Sequence, residues 1–145
     1  MKQIETKAKK IKMLIMDVDG TLTDGKIYIG PQGEVFKAFN TKDGLGIKLL
    51  MDKGIIPVII TGRNSQIVLK RAEELGIEEI YQGVEDKLDI YRLLLEKYKL
   101  DPEEVAFIGD DLNDLPLLKM VGLSFCVADA VKAVREKVDY VTRLK

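Results

Sequence analysis

The stretch Met13-Leu-Ile-Met-Asp17-Val-Asp19-Gly-Thr-Leu-Thr-Asp-Gly25 decides how this sequence is read. Four apolar residues, too few for a helix, run directly into two aspartates and a glycine. That pattern is a short buried strand whose carboxyl end carries polar groups. Working outward, similar apolar runs recur at 55–60, 79–81, 105–108, 123–127 and 138–141. Between them lie helical patterns at 44–53, 65–75 and 87–98. In the second, Val68, Ala72 and Leu75 share a face, with Gly76 placed to end the helix. Asp101-Pro102-Glu103-Glu104 reads as an N-cap, a proline at the first helical position and an acidic first turn. Strands alternating with helices predict an α/β fold, a Rossmann-like three-layer sandwich around a parallel sheet, formed as one domain over residues 1–145. Pro57 is awkward in a central strand, so that strand starts at the proline or is shorter than the apolar run.

One segment breaks the alternation. Residues 25–40 place Ile27, Tyr28, Ile29, Val35, Phe36 and Phe39 on two arms around Gly30-Pro31-Gln32-Gly33, which predicts a β-hairpin. The reading favours a projecting flap whose apolar side another subunit covers, over an edge hairpin packed on its own sheet.

Composition narrows the chemistry. The 145 residues contain no histidine, no tryptophan, one cysteine (Cys126) and two serines (Ser65 and Ser124). A Ser-His-Asp triad, a Cys-His pair, an imidazole metal site, an intrachain disulfide and a zinc ribbon are all excluded. Cys126, in an apolar run, reads as a small buried hydrophobe. The 23 basic and 24 acidic residues nearly cancel, which argues against nucleic acid as a partner. The lysine-rich N-terminus reads as a solvated segment. The apolar run after it is too short for a signal peptide or a membrane span, so a cytoplasmic protein with no membrane partner is expected.

The polar clusters follow the carboxyl ends of the apolar runs. Asp17 and Asp19 follow the first, Thr61-Gly62-Arg63 the second, Lys87 the third, and Asp110, Asp111 and Asp114 the fourth. In a parallel sheet these ends form one rim, where open α/β folds bind ligands. Crowded carboxylates need a cation, and all-oxygen ligands without histidine or cysteine point to Mg²⁺. Lys87 adds a point charge and Thr61 a hydroxyl, and Thr61-Gly62-Arg63 is expected to open a helix with free amides. Together these describe a phosphate site, although no P-loop motif is present. With no other nucleophile and base pair available, Asp17 is the candidate nucleophile and Asp19 the acid and base. Lys87 would offset charge on the transferring phosphoryl group.

Asp17-Val-Asp19-Gly20-Thr21, Thr61-Gly62-Arg63, Lys87 and Gly109-Asp110-Asp111-x-x-Asp114 resemble the motif set of the haloacid dehalogenase superfamily of phosphohydrolases. Further stretches, Phe39-Asn-Thr-Lys-Asp-Gly44 and Tyr81-Gln-Gly83 among them, resemble its small, capless branch acting on 3-deoxy-D-manno-octulosonate 8-phosphate. The resemblance implies Mg²⁺ held by Asp17, the Asp19 carbonyl and Asp110, with Asp111 and Asp114 supporting them. It implies a pocket for a phosphorylated sugar acid formed by Asp19, Asn40, Thr41, Lys42, Asp43, Gly44, Lys48, Arg63, Arg71 and Lys87. Lys48 stands where the branch often has arginine. It also implies a role in lipopolysaccharide biosynthesis and a homotetramer in which the hairpins assemble and subunits close each other's sites. The branch usually carries a Gly-rich tail with an arginine after the last strand, whereas this sequence ends Val141-Thr-Arg-Leu-Lys145. A nonulosonate 9-phosphate is the alternative substrate. A receiver-like signalling domain uses a similar set of residues in a different order. A silent interaction domain would not need the intact set.

Overall fold

The structure, a computed structural model, describes residues 2–144. The elements in chain order are α1 (Lys2–Ala8), β1 (Met13–Met16), β2 (Tyr28–Gly30), β3 (Gly33–Phe36), α2 (Thr41–Asp52), β4 (Ile56–Ile60), α3 (Gln66–Leu75) and β5 (Glu79–Tyr81), followed by α4 (Lys87–Tyr98), β6 (Val105–Gly109), α5 (Leu115–Met120), β7 (Leu123–Cys126), α6 (Lys132–Arg135) and β8 (Tyr140–Val141). Six strands form one sheet in the order β5-β4-β1-β6-β7-β8, and every neighbouring pair is parallel. The chain lays β4 and β5 on one side of β1, then crosses with α4 to place β6 on the other. β1 therefore sits at the topological switch point, with its carboxyl end facing the crevice where such sheets bind ligands.

Strand alternation sorts side chains between two cores. Met13 and Ile15 of β1, with Val58 and Ile60 of β4, pack against Tyr91 and Leu94 of α4 and Leu117 and Leu118 of α5. Met16 and Ile59 point the other way, onto Ile47 of α2 and Val68, Ala72 and Leu75 of α3. Phe107, fully buried at the centre of β6, makes truncation to alanine cost about 3–5 kcal/mol. The same parity sends the residue after β1, Asp17, toward the α4 side.

Several sequence expectations shift. Pro57 is the second residue of β4, not its start, and, as the alternative reading expects, the strand is shorter than the apolar run 55–60. The Ile56 amide donates to Lys12 of the β1 side, so Pro57's missing donor faces β5, whose pairing begins only at Val58. α2 begins three residues earlier than predicted, because the Asn40 side chain caps it by accepting from the Lys42 amide at 2.8 Å. The turn at Pro102–Glu104 is a single 3-10 turn, because β6 follows at once. The lysine-rich N-terminus is helical, with no buried residue, and is tied down by Lys7 Nζ donating to Asp139 at 2.8 Å. Cys126 is fully buried. No helix among the described residues is long and apolar enough to cross a membrane.

The hairpin forms, but as a separate two-stranded sheet rather than an edge of the main one. Tyr28 and Phe36 stack across it at 4.2 Å between ring centroids. Phe39 is not part of the flap surface and packs instead against the α2/α3 core.

Candidate active site

The rim at the carboxyl ends of β1, β4 and β6 holds Asp17, Thr61, Lys87, Asp110 and Asp114. Lys87, the first residue of α4, is buried and donates through Nζ to Asp17 Oδ1 at 2.9 Å and Asp114 Oδ1 at 2.7 Å. Burial works against its charge, but the two flanking carboxylates outweigh that and raise its pKa. Asp114 has no exposed surface, and its Oδ2 accepts from the amides of Asp110 and Asp111 at 3.0 and 3.2 Å. Its carboxylate is thus committed to fixing the β6 loop and Lys87. Asp111 caps the next turn by accepting from the Leu112 amide at 2.7 Å.

One carboxylate oxygen each of Asp17, Asp110 and Asp114 lie within 4.8 Å of one another. Lys87 pairs with two of these three acids, Asp17 and Asp114, and the crowding shows at Asp17 and Asp110. Burial raises the Asp17 pKa, Lys87 opposes this and Asp114 adds to it. Burial, reinforced by Asp17, pushes Asp110 up to about 8. Two glycines make this crowding possible. Gly20 has φ +86°, and a Cβ there would fall 1.9 Å from Asp110 Oδ2. A Cβ on Gly109 would fall 2.6 Å from Asp114 Oδ2.

The donor set fits Mg²⁺: oxygen only, with Asp17 and Asp110 facing one another and Asp114 already engaged. Asp19 lies outside this carboxylate group. Its Oδ1 accepts from Lys37 Nζ of the hairpin arm at 2.6 Å.

Thr61 is buried at the end of β4, with its amide donating to Tyr81 and its carbonyl accepting from Val84. The expectation that Thr61-Gly62-Arg63 opens a helix is corrected. Four loop residues intervene, and α3 starts at Gln66, capped by Ser65, whose Oγ accepts from the Val68 amide. The Gln82 amide holds that loop, with Oε1 accepting from Ser65 N at 2.5 Å and Nε2 donating to Ser65 O at 3.0 Å. The helix amides therefore belong to Ser65 and its neighbours rather than to Thr61. Arg63 is exposed on the loop.

The predicted sugar-pocket residues fall into two groups. Asn40, Thr41, Lys42, Asp43 and Gly44 form the start of α2, and Arg71 of α3 reaches the Asn40 carbonyl at 3.5 Å, over the Phe39 ring. A cleft of about 540 Å³ opens between Gly20–Asp24, Lys26 and Ala38 of the hairpin base, and Asn40. Lys48 lies exposed farther along α2. Sequence reasoning missed Lys37, Glu34, Ser65 and Gln82. The available signal was a lone lysine between the apolar pair Val35-Phe36 and Phe39.

A parallel sheet with acidic groups at its switch point, facing a lysine at a helix start, fits a phosphoryl-transferring hydrolase. The haloacid dehalogenase-like hydrolase family model matches residues 78–145, and the chain belongs to that family. Among curated relatives, the 3-deoxy-D-manno-octulosonate 8-phosphate phosphatase of Yersinia pestis is 50% identical over 139 residues, covering 96% of this chain and 74% of that protein. The 1.95 Å crystal structure of the Yersinia pestis phosphatase superposes with a TM-score of 0.96 at 49% identity, covering 99% of this chain and 77% of the other. The Moraxella catarrhalis phosphatase, crystallised with magnesium, phosphate and the octulosonate sugar, gives a TM-score of 0.95 at 44% identity, covering 99% and 82%.

Proposed function

We propose that this protein is a Mg²⁺-dependent phosphatase that hydrolyses 3-deoxy-D-manno-octulosonate 8-phosphate. The observation that carries the reading is the buried Asp17–Lys87–Asp114 constellation beside Asp110, in a chain half identical to the Yersinia pestis enzyme. Asp17 and Asp110, with the Asp19 carbonyl, would hold the metal, which supplies positive charge against the phosphoryl oxygens and between the acids.

The protein's own groups carry the steps. An Asp17 carboxylate oxygen attacks phosphorus as the bond to the sugar oxygen breaks, and Asp19 gives that oxygen its proton. Water then attacks phosphorus, losing a proton to Asp19, which releases phosphate and restores Asp17. Lys87 fixes Asp17 and offsets charge on the transferring group. Asp111 and Asp114 hold the β6 loop. Thr61 offers its hydroxyl to the phosphate. The start of α2 (Asn40–Gly44), with Lys48, Arg63 and Arg71, supplies polar groups for the sugar acid.

We read residues 1–145 as one domain with the hairpin as its flap. Ile27, Ile29, Val35 and Phe36 on that hairpin are 57%, 70%, 59% and 50% exposed, an apolar surface suited to burial between copies in a homotetramer. Ile29→Asp should then reduce the molar mass seen by light scattering. The enzyme belongs in the cytoplasm, because a phosphorylated sugar acid is multiply charged and does not cross a bilayer unaided.

Phosphate release from a panel of sugar-acid phosphates tests the reading. Turnover of octulosonate 8-phosphate in Mg²⁺, lost in EDTA, supports it. A clear preference for a nonulosonate 9-phosphate would replace the substrate, and no release from any member would remove the activity.

A further inference from the structure

Lys37 lies on the hairpin's return arm, just beyond β3, and its side chain is 5% exposed. A buried ammonium is costly unless paired, and Lys37 faces two carboxylates. Its Nζ lies 2.6 Å from Asp19 Oδ1 and 3.3 Å from Glu34 Oε2. Glu34 in turn accepts through Oε1 from Ser65 Oγ at 2.5 Å, and Ser65 caps α3 at the end of the Thr61 loop. A continuous polar chain, Asp19–Lys37–Glu34–Ser65, therefore joins the nucleophile loop, the hairpin and the phosphate loop. Among the described residues no hydrogen bond engages Asp19 Oδ2. Lys37 thus clamps one oxygen of the carboxylate and leaves the other free.

From this geometry we infer that Lys37 is a positioning residue, holding the Asp19 carboxyl so that its free oxygen serves the leaving group. The inference rests on the phosphatase reading above and deepens it. The hairpin then does more than cover the site, because its return arm sets the acid of the reaction. A flexible Asp19 would cost most where the leaving oxygen needs its proton and least where it leaves readily as an anion.

Two aryl phosphates of nearly the same size isolate that effect from sugar binding. For Lys37→Met, kcat/KM in Mg²⁺ should fall about 10²-fold with phenyl phosphate, but by less than about tenfold with p-nitrophenyl phosphate. In an Asp19→Asn background the same substitution should add less than about threefold on either substrate. Lys37→Gln, which keeps a hydrogen-bond donor between the two acids, decides on the same criteria if Lys37→Met does not fold by circular dichroism. Equal losses on the two substrates would make Lys37 a staple of the hairpin only and overturn the inference, as would no loss on either. If the wild-type protein hydrolyses neither aryl phosphate nor octulosonate 8-phosphate, the phosphatase reading falls, and this inference with it.

Discussion

The molecule holds two centres of buried acid, at opposite ends of its sheet. At the amino end, Glu79 opens β5 and accepts from Lys97 and Tyr81, each at 2.5 Å, and from Tyr98. Burial alone would raise its pKa, but these three donors outweigh it and hold the carboxyl below its ordinary value. At the carboxyl end, Asp17 and Asp114 pair with Lys87 while Asp110 crowds beside them, and burial raises the pKa of both Asp17 and Asp110. One acid with three donors is a satisfied, structural charge. Three crowded acids beside a single lysine are an unfinished site, which a cation and a phosphoryl group complete. Substitutions of the acids at the two centres should therefore fail in different ways: at Glu79 by loss of stability, and at Asp17 and Asp110 by loss of turnover.

The largest break in that contrast should come from Asp17→Asn. It removes the nucleophile and should lower kcat by on the order of 10³-fold or more while the fold persists in circular dichroism. Lys87→Met should lower kcat about 10²–10³-fold. It should also destabilise the protein by about 3–5 kcal/mol in urea titration, because the buried Asp114 carboxylate keeps its two amide donors but loses its counter-charge. Asp110→Asn should cost about 10²-fold in turnover. It should nevertheless leave the metal-free protein at least as stable to heat, because it removes one of three crowded acids. A Tm drop of several degrees would mean the rim is structural after all.

Glu79→Gln should be the mildest, with kcat within about twofold of wild type and a stability loss of about 1–2 kcal/mol near neutral pH. The pH dependence follows from the sign of the shift. The folded pKa is below the ordinary value of 4.5, so Glu79 stabilises the fold above that pH. The difference between wild type and variant should be full at pH 6, shrink as the pH falls below about 4.5, and vanish once the folded carboxyl is protonated. A difference that is flat across this range would show that packing, not charge, sets the Glu79 contribution.

Much of the rim was legible because its residues follow strands, and short apolar runs ending in Asp or Thr-Gly-Arg are local signals. Asp17, Thr61, Lys87, Asp110 and Asp114 all end on one rim for that reason. The helix start at Asn40 was also local, an Asn cap before an Asp in the first turn, but Gly44 and Gly46 weakened the helical pattern and obscured it. Ser65 displaced the expected helix start at Thr61 because a serine cap held by Gln82, 17 residues away, fixes the loop. The Lys37–Asp19 pair was out of reach, because 18 residues and a hairpin separate the two and no periodicity links them. The six-strand order was likewise not written locally. It depends on the crossover that carries α4 past β1.

The most direct measurement asks whether Asp17 carries the phosphoryl group. The protein in excess over octulosonate 8-phosphate, with Mg²⁺, would be quenched with borohydride, which reduces an acyl phosphate to an alcohol, and digested for mass spectrometry. Conversion of residue 17 to homoserine, absent without substrate and absent in Asp17→Asn, is the expected result. Phosphate released at the full rate with Asp17 never modified, or the same adduct at Asp19 or Asp110 instead, would contradict the assignment of the nucleophile.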